Sequence, residues 1–427
     1  MHRLRPGALA ALLYVPFLLA GAPAGAADCR ARVDRVSAAA CAVEAALEVE
    51  SAAQDEDAAR ARLRAAEVVL PSNPELGFSA GRRTGPEGLA ALNWSASLAQ
   101  TIEIGGQRGA RRALAEQELR GQEASVRVRR QAASARGLIA YFNALSAAEL
   151  VELSERLASV AEALSRVALG RAKAGVSPPL EAAVADAAGI QLQRVRIEAL
   201  AEVERRRAQL AITLGLDASA RPALAGTLAP IPFEETAFGP LFEEADRSRL
   251  ELRALASAVE AAEARVSLLE RARIPSLTLS AMVQRDGFEE TYWGGGLSIP
   301  IPLPAPLGRT NAPEIAEAEA LARRAALELE RGRREIHLEV VERAKGYESR
   351  RAALGLFDPS RMAEAETLLS ALGEEIGAGN IGAREALASE QALLEMLKSY
   401  VEARREAAIA SVELARAVGR DLEGGAP

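Results

Sequence analysis

The sequence predicts a mainly α-helical protein with a β membrane portion of four strands per chain, built as an internal two-fold repeat. Three observations carry this. The 427-residue chain matches itself at an offset of about 204, with Pro71 opposite Pro275 and Ala174-Gly175 opposite Ala378-Gly379, and such self-similarity marks a repeated structural unit. Each copy holds two segments in which apolar and polar residues alternate, a period that puts each set on one face of a strand. Each also holds a helix-forming stretch of about 65 residues, beyond the usual globular range.

Composition agrees. Only 4% of residues are aromatic although 49% are hydrophobic, and the excess lies in Ala and straight-chain residues, which lose least on entering a helix. A formal net charge of -7 leaves no basic footprint for phosphate backbones, so a nucleic-acid partner is not expected. With His337 alone beyond the first segment, a His-rich metal site is excluded, a Ser-His-Asp triad is not expected, and no cofactor motif is present.

Residues 1–27 read as a secretory signal: Arg3 and Arg5 are positive, Ala8 to Ala20 is apolar, and Ala24-Gly25-Ala26 offers a small-residue cleavage site. Beyond it no run of about 18 apolar residues occurs, so a membrane role would fall to strands. Cys29 and Cys41 follow closely. In an oxidising compartment two nearby thiols can pair. A lipid anchor on Cys29 competes, opposed by Asp28 where a lipoprotein signal wants a small residue; two unpaired small residues on a helix face is the third reading.

The remainder divides into a first repeat over 28–215, an irregular Pro-rich connector over 216–237, a second repeat over 238–420 and a tail over 421–427. In the first repeat, Val33 to Leu70 reads as a helix. A hairpin follows over 73–104: Leu76, Phe78 and Ala80 alternate with Glu75, Gly77, Ser79 and Gly81, and Leu92, Trp94, Ala96, Leu98, Ile102 and Ile104 face away from Asn93, Ser95, Ser97, Ala99, Thr101 and Glu103, with Gln100 the one breach. From Gly109 to Lys173 no Pro interrupts the helical pattern, which makes a rod of roughly 100 Å at about 1.5 Å per residue. It ends in a turn over 174–179, where Gly175 can stop the helix, Ser177 is the expected N-cap and Pro178 the first position of a return helix to Leu214.

The second repeat follows the same plan. A helix over Phe238 to Arg273 leads to a hairpin over 274–303, in which Leu277, Leu279, Ala281 and Val283 oppose Ser276, Thr278, Ser280 and Gln284, and Trp293, Leu297, Ile299, Ile301 and Leu303 oppose Tyr292 and Ser298. A rod from Pro313 to Ile376, kinked at Pro359, reaches a turn over 377–382 with Asn380 as cap, and a return helix runs from Ala383 to Val418. Each return helix, stacked end to end on the short helix of its repeat, would match the length of a rod. A helical hairpin explains both turns without function. Their equivalent places at the far ends of two rods suggest a docking tip.

Strands of about ten residues with one apolar face, one polar face and aromatics near their ends suit a membrane barrel with a wet lumen. A soluble sheet on a core alternates in the same way, but export, the aromatic placement and the missing second strand layer favour the membrane. Closed bacterial barrels start at about eight strands, so four per chain must be completed by copies of the chain.

This arrangement resembles the TolC family of outer-membrane efflux ducts, from about Cys41 to Arg420. The likeness rests on Asn73-Pro74-Glu75-Leu76, the strand exit from Gln100 through Gly105-Gly106 to Arg108, the tips Ala174-Gly175-Val176-Ser177 and Ala378-Gly379-Asn380-Ile381, and Leu214-Gly215. The resemblance implies a homotrimer whose twelve strands close an outer-membrane barrel, continued by a long α-helical barrel across the periplasm. It implies a duct without enzymatic activity or cofactor. Its tips, Gly175, Val176, Ser177, Gly379, Asn380 and Ile381, would dock a periplasmic adaptor and an inner-membrane transporter of the resistance-nodulation-division type. The glycine-rich strand exit is similar to the heavy-metal and cation efflux branch. Family members often place acids just inside the tip as a gate; the candidates here are Asp186, Glu385 and Glu390, and Ser389 stands where the usual second-half acid would align. Many relatives carry an acylated Cys at the mature start, which Asp28 opposes.

The leading function is passive export of small solutes or metal cations through a trimeric duct. A duct for type I protein secretion is the alternative within the family. A periplasmic coiled-coil adaptor is the alternative from another class, and it should carry a lipoyl-like domain rather than two separated hairpins. An enzyme is disfavoured: Gly294-Gly295-Gly296 lies within a strand and lacks the helix a phosphate loop needs.

Overall fold

The computed structural model of the chain describes residues 29–84, 90–234, 237–287, 290–303, 306, 310–378 and 383–423. The signal segment, the second tip residues Gly379, Asn380 and Ile381, and the end of the tail lie outside the described residues. The elements run β1 (Arg32–Val33), α1 (Arg35–Ala45), α2 (Leu47–Ala66), β2 (Glu75–Thr84), β3 (Ala90–Ile102), α3 (Gln107–Lys173), α4 (Pro179–Thr213), β4 (Ala223–Leu224), α5 (Phe238–Ser248), α6 (Leu250–Arg271), β5 (Leu277–Arg285), β6 (Thr291–Ser298), α7 (Ala312–Leu354), α8 (Pro359–Ala378) and α9 (Ala383–Ala417).

The rod α3 is one unbroken helix of 67 residues, about 100 Å at about 1.5 Å per residue. α2 lies beside its first half, where Arg108 donates to the Glu67 carbonyl at 2.8 Å, and α6 approaches at Gly121 beside Ser257. α4 returns along its second half, where Gln193 Nε2 donates to Glu162 at 2.5 Å. Both rods begin on a left-handed residue, Gly106 at φ 75° and Asn311 at φ 56°, so the chain enters each rod through the same cap conformation.

Two helices expected to be continuous are broken. Val33 to Leu70 divides at Ala46 (φ -77°, ψ 108°) and Phe238 to Arg273 divides at Arg249 (φ -65°, ψ 119°). The cause is what docks there. α4 and α9 end in matching caps: Gly215 (φ 70°) donates to Ile212 and Leu216 to Ala211, Gly419 (φ 81°) donates to Arg416 and Arg420 to Ala415. Such 6→1 and 5→2 bonds satisfy the last carbonyls around a left-handed residue. A Cβ on Gly215 would sit 2.7 Å from Ala45, and one on Gly419 would sit 2.8 Å from Ser248. Each cap therefore presses into the break of the helix above it. At the second break Arg249, only 5% exposed, donates to the Arg416 and Ala417 carbonyls at 3.1 and 3.0 Å and to Glu339 at 2.9 Å.

The second rod is interrupted rather than kinked at Pro359. α7 stops at Leu354, and Asp358 accepts from the Ser360 N–H at 2.8 Å, opening α8. A residue before Pro is driven out of helical conformation, so Asp358 becomes a cap, and the Ser360 hydrogen bonds hold its carboxyl below the usual value.

The main core sits at these breaks. Leu138, Tyr141, Phe142, Val33, Leu210, Leu241, Val340 and Leu414 are buried together. The connector, expected to be irregular, contributes β4, which pairs parallel with β1 through Ala223 and Ala225 donating to Ala31 and Val33. Tyr141 Oη donates to the Ala225 carbonyl at 2.5 Å, and burial raises its phenol to about 12. Asp34 caps α1 through the Ser37 N–H at 2.8 Å, which lowers its carboxyl pKa.

Candidate functional site

The two hairpins form one antiparallel sheet in the order β2-β3-β5-β6. Because side chains alternate at a period of two, register decides which residues share a face. Leu76 pairs with Leu98 and Leu98 with Ala281; Phe78 pairs with Ala96 and Ala96 with Val283; Val283 pairs with Trp293 and Leu279 with Leu297. All of these fall on one side. The other side carries Ser79, Ser95 and Gln284 in one row and Thr101, Thr278 and Ser298 in another, with Ser79 to Ser95 at 2.8 Å and Thr101 to Thr278 at 3.0 Å between hydroxyls.

Among the described residues nothing covers the apolar side. Phe78 is 72% exposed, Trp293 77% and Leu98 51%, an area that water would penalise by about 25 cal/mol per Å². The breach at Gln100 is at the helix-side rim, where its Nε2 donates to the Ser72 and Thr101 carbonyls at 3.0 and 2.7 Å. Ile299, Ile301 and Leu303, expected to extend the last strand, lie beyond β6, which ends at Ser298. Among the described residues β2 and β6 each pair on one side only. Their outer backbone groups are open to another chain. No described helix is long and apolar enough to cross a membrane.

At the far end of α3, Gly175 (φ 74°) donates to Ala172 at 3.0 Å and Val176 to Arg171 at 2.9 Å, the same cap as at Gly215. Ser177 does not cap α4, and its hydroxyl has no hydrogen-bond partner. The cap residue is Pro178 (φ -62°, ψ 142°) and Pro179 takes the first helical position, because Pro179 holds the residue before it extended. Val176 and Leu180 at this tip are 66% and 70% exposed.

Asp186 lies exposed on α4, beside an open groove of about 590 Å³ that Glu162, Arg166 and Gln193 also line. Glu385 is exposed in the first turn of α9. The Glu390 side chain lies outside the described residues. No hydrogen bond or ion pair brings Asp186 and Glu385 together within one chain among the described residues. No group of three or more His, Cys, Asp or Glu there could hold a metal. Cys29 and Cys41 are bonded Sγ to Sγ, both buried in the core beside Val33 and Ala38. Sequence reasoning missed Arg249, since an isolated Arg carries no sign that it caps a distant helix.

Residues 241–420 match the family model described as outer membrane efflux protein, the span of the second repeat. Over this second half the chain is similar to outer membrane efflux proteins. No curated protein matches the chain in sequence. Solved structures share its fold over nearly its whole length. A CusC structure described by its conformational changes on folding and transmembrane channel formation superposes with a TM-score of 0.72 at 15% identity, covering 91% of this chain and 92% of that one. The CmeC outer membrane channel of Campylobacter jejuni gives 0.69 at 14% identity over 90% and 85%. The outer membrane protein VceC from Vibrio cholerae gives 0.68 at 17% identity over 90% and 96%. The fold of the first repeat, outside the family match, is therefore that of known outer-membrane proteins too.

Proposed function

We propose that this chain is an outer membrane efflux protein of Gram-negative cells, three copies of which close a barrel of twelve strands and continue it across the periplasm as an α-helical duct, a passive exit for small solutes or metal cations. The observation that carries this is the four-stranded sheet, which among the described residues has one apolar face without cover, one hydroxyl-lined face and two open edges. β2 and β6 run in opposite senses, so β6 of one copy can pair antiparallel with β2 of the next. The sheet then loses its edges and puts its serines and threonines towards water.

In this reading the tips around Gly175 and Gly379 meet a periplasmic adaptor and, with it, an inner-membrane transporter that supplies the energy. Exposed Val176 and Leu180 support an apolar contact there. Asp186, threefold related near the mouth, attracts cations, with Glu385 and Glu390 as second candidates. The cation branch is supported by resemblance at Gly105-Gly106, and substrate choice belongs to the transporter. Planar-bilayer recordings test the duct. Wild-type protein, three chains per particle by light scattering, should conduct, and Asp186→Ala should lower cation preference. A particle of one chain, or a silent bilayer, would contradict the duct; unchanged selectivity would remove Asp186 from the gate.

A further inference from the structure

Register sorts the arginines at the hairpin ends into two kinds. Arg83 falls on the hydroxyl-lined side, 3.3 Å from Asp286. Arg82, opposite Leu92, and Arg285, opposite Trp94, fall on the apolar side. Both are exposed, and neither has an ion pair or side-chain hydrogen bond among the described residues. The inward charge is neutralised within the chain, and the outward charges are not. They flank β3 from its two sides with a stagger of two residues, which puts their Cα atoms about 12 Å apart, from strand spacings of about 4.8 Å and a rise of about 3.4 Å per residue.

An Arg on the lipid side is strongly disfavoured at the bilayer midplane and nearly without penalty near the interface. Arg82 and Arg285 stand at the hairpin ends away from the helices, level with Trp94 and beyond Val283, which is interfacial depth. There a planar, weakly hydrated guanidinium matches phosphate with two parallel hydrogen bonds. We propose that Arg82 and Arg285 form a lateral site for the phosphate groups of lipids in the outer leaflet, two arginines per chain around the barrel. The site rests on the reading of this sheet as a membrane barrel segment.

Full-length protein in nanodiscs of zwitterionic phosphatidylcholine, doped with a bisphosphorylated acyl-disaccharide, tests the site by native mass spectrometry of retained lipid. At about 1 kcal/mol for each basic residue near the surface and about 1.4 kcal/mol per factor of ten, Arg82→Gln with Arg285→Gln should weaken retention about thirty-fold. The Arg82→Lys, Arg285→Lys protein should stay within a few-fold of wild type, as should Arg83→Gln. Equal retention by wild type and the double Gln variant would overturn the site, as would equal retention of the dephosphorylated glycolipid. Wild-type protein that never enters the nanodisc would overturn the barrel reading and the site with it.

Discussion

Leu98→Arg against Ser97→Arg probes the sheet at one point from its two sides. Leu98 lies four residues from Trp94 and four from Ile102 on the apolar face, between Leu76 and Ala281, and is 51% exposed in the single chain. That places it close to the midplane, where a lipid-facing Arg costs about 2 to 4 kcal/mol. In a trimer the three copies sum to about 6 to 12 kcal/mol, comparable with the whole stability of about 5 to 15 kcal/mol of an ordinary domain. Ser97, one residue away, points to the other side between Gly77 and Met282. An Arg there enters water beside Gly77, which leaves it room, and should cost little. Non-denaturing electrophoresis of the outer-membrane fraction should show assembled Ser97→Arg and depleted Leu98→Arg. Equal amounts of the two assemblies would refute the assignment of faces.

Other consequences concern the tip and the N-terminal segment. Gly175 has no atom near the position of a Cβ and a left-handed φ, so Gly175→Trp strains the turn by about 1 to 2 kcal/mol and covers the docking surface; it should abolish efflux and leave the trimer in the membrane, and full efflux would remove this tip from the docking surface. For the Cys29–Cys41 bond, intact mass should show a loss of two hydrogens, and the double Ser variant should lose about 3 kcal/mol in the chain-entropy model. A diacylglyceryl adduct on Cys29 would instead establish a lipid anchor.

The parts legible in the sequence are those fixed by local period or local turn chemistry. The strands around Leu98 and Leu279 and the rod α3 follow from spacing, and Gly175 from its place after a helix. The breaks at Ala46 and Arg249 do not, because distant glycines set them: Gly215 and Gly419 press into those points from other helices. A sharper reading was available in the repeat itself, since Gly215 and Gly419 stand at the same offset as Gly175 and Gly379. Likewise the double proline at Pro178-Pro179 moved the cap by one residue, a clash between neighbouring residues that the preference of Ser177 for caps obscured. For the gate, spacing along a helix finds acids near the tip, but which of them converge depends on the other copies of the chain. The lipid-side arginines were hidden for a different reason: Arg82 and Arg285 acquire meaning only once register assigns them a face.

Cross-linking of the two open sheet edges tests closure by copies most directly. Within one chain β2 and β6 are separated by two strands, about 14 Å at about 4.8 Å per spacing, whereas a disulfide needs Cα atoms within about 7 Å. Any bond between the edges must therefore join different chains. In a Cys29→Ser, Cys41→Ser background, Ser79→Cys is combined in turn with Gly294→Cys, Gly296→Cys and Ser298→Cys, all on the hydroxyl-lined face, and oxidised in native membranes. Closure predicts that at least one combination yields a covalent ladder ending at three chains. Monomer alone from every combination, or a ladder continuing past three, would contradict it.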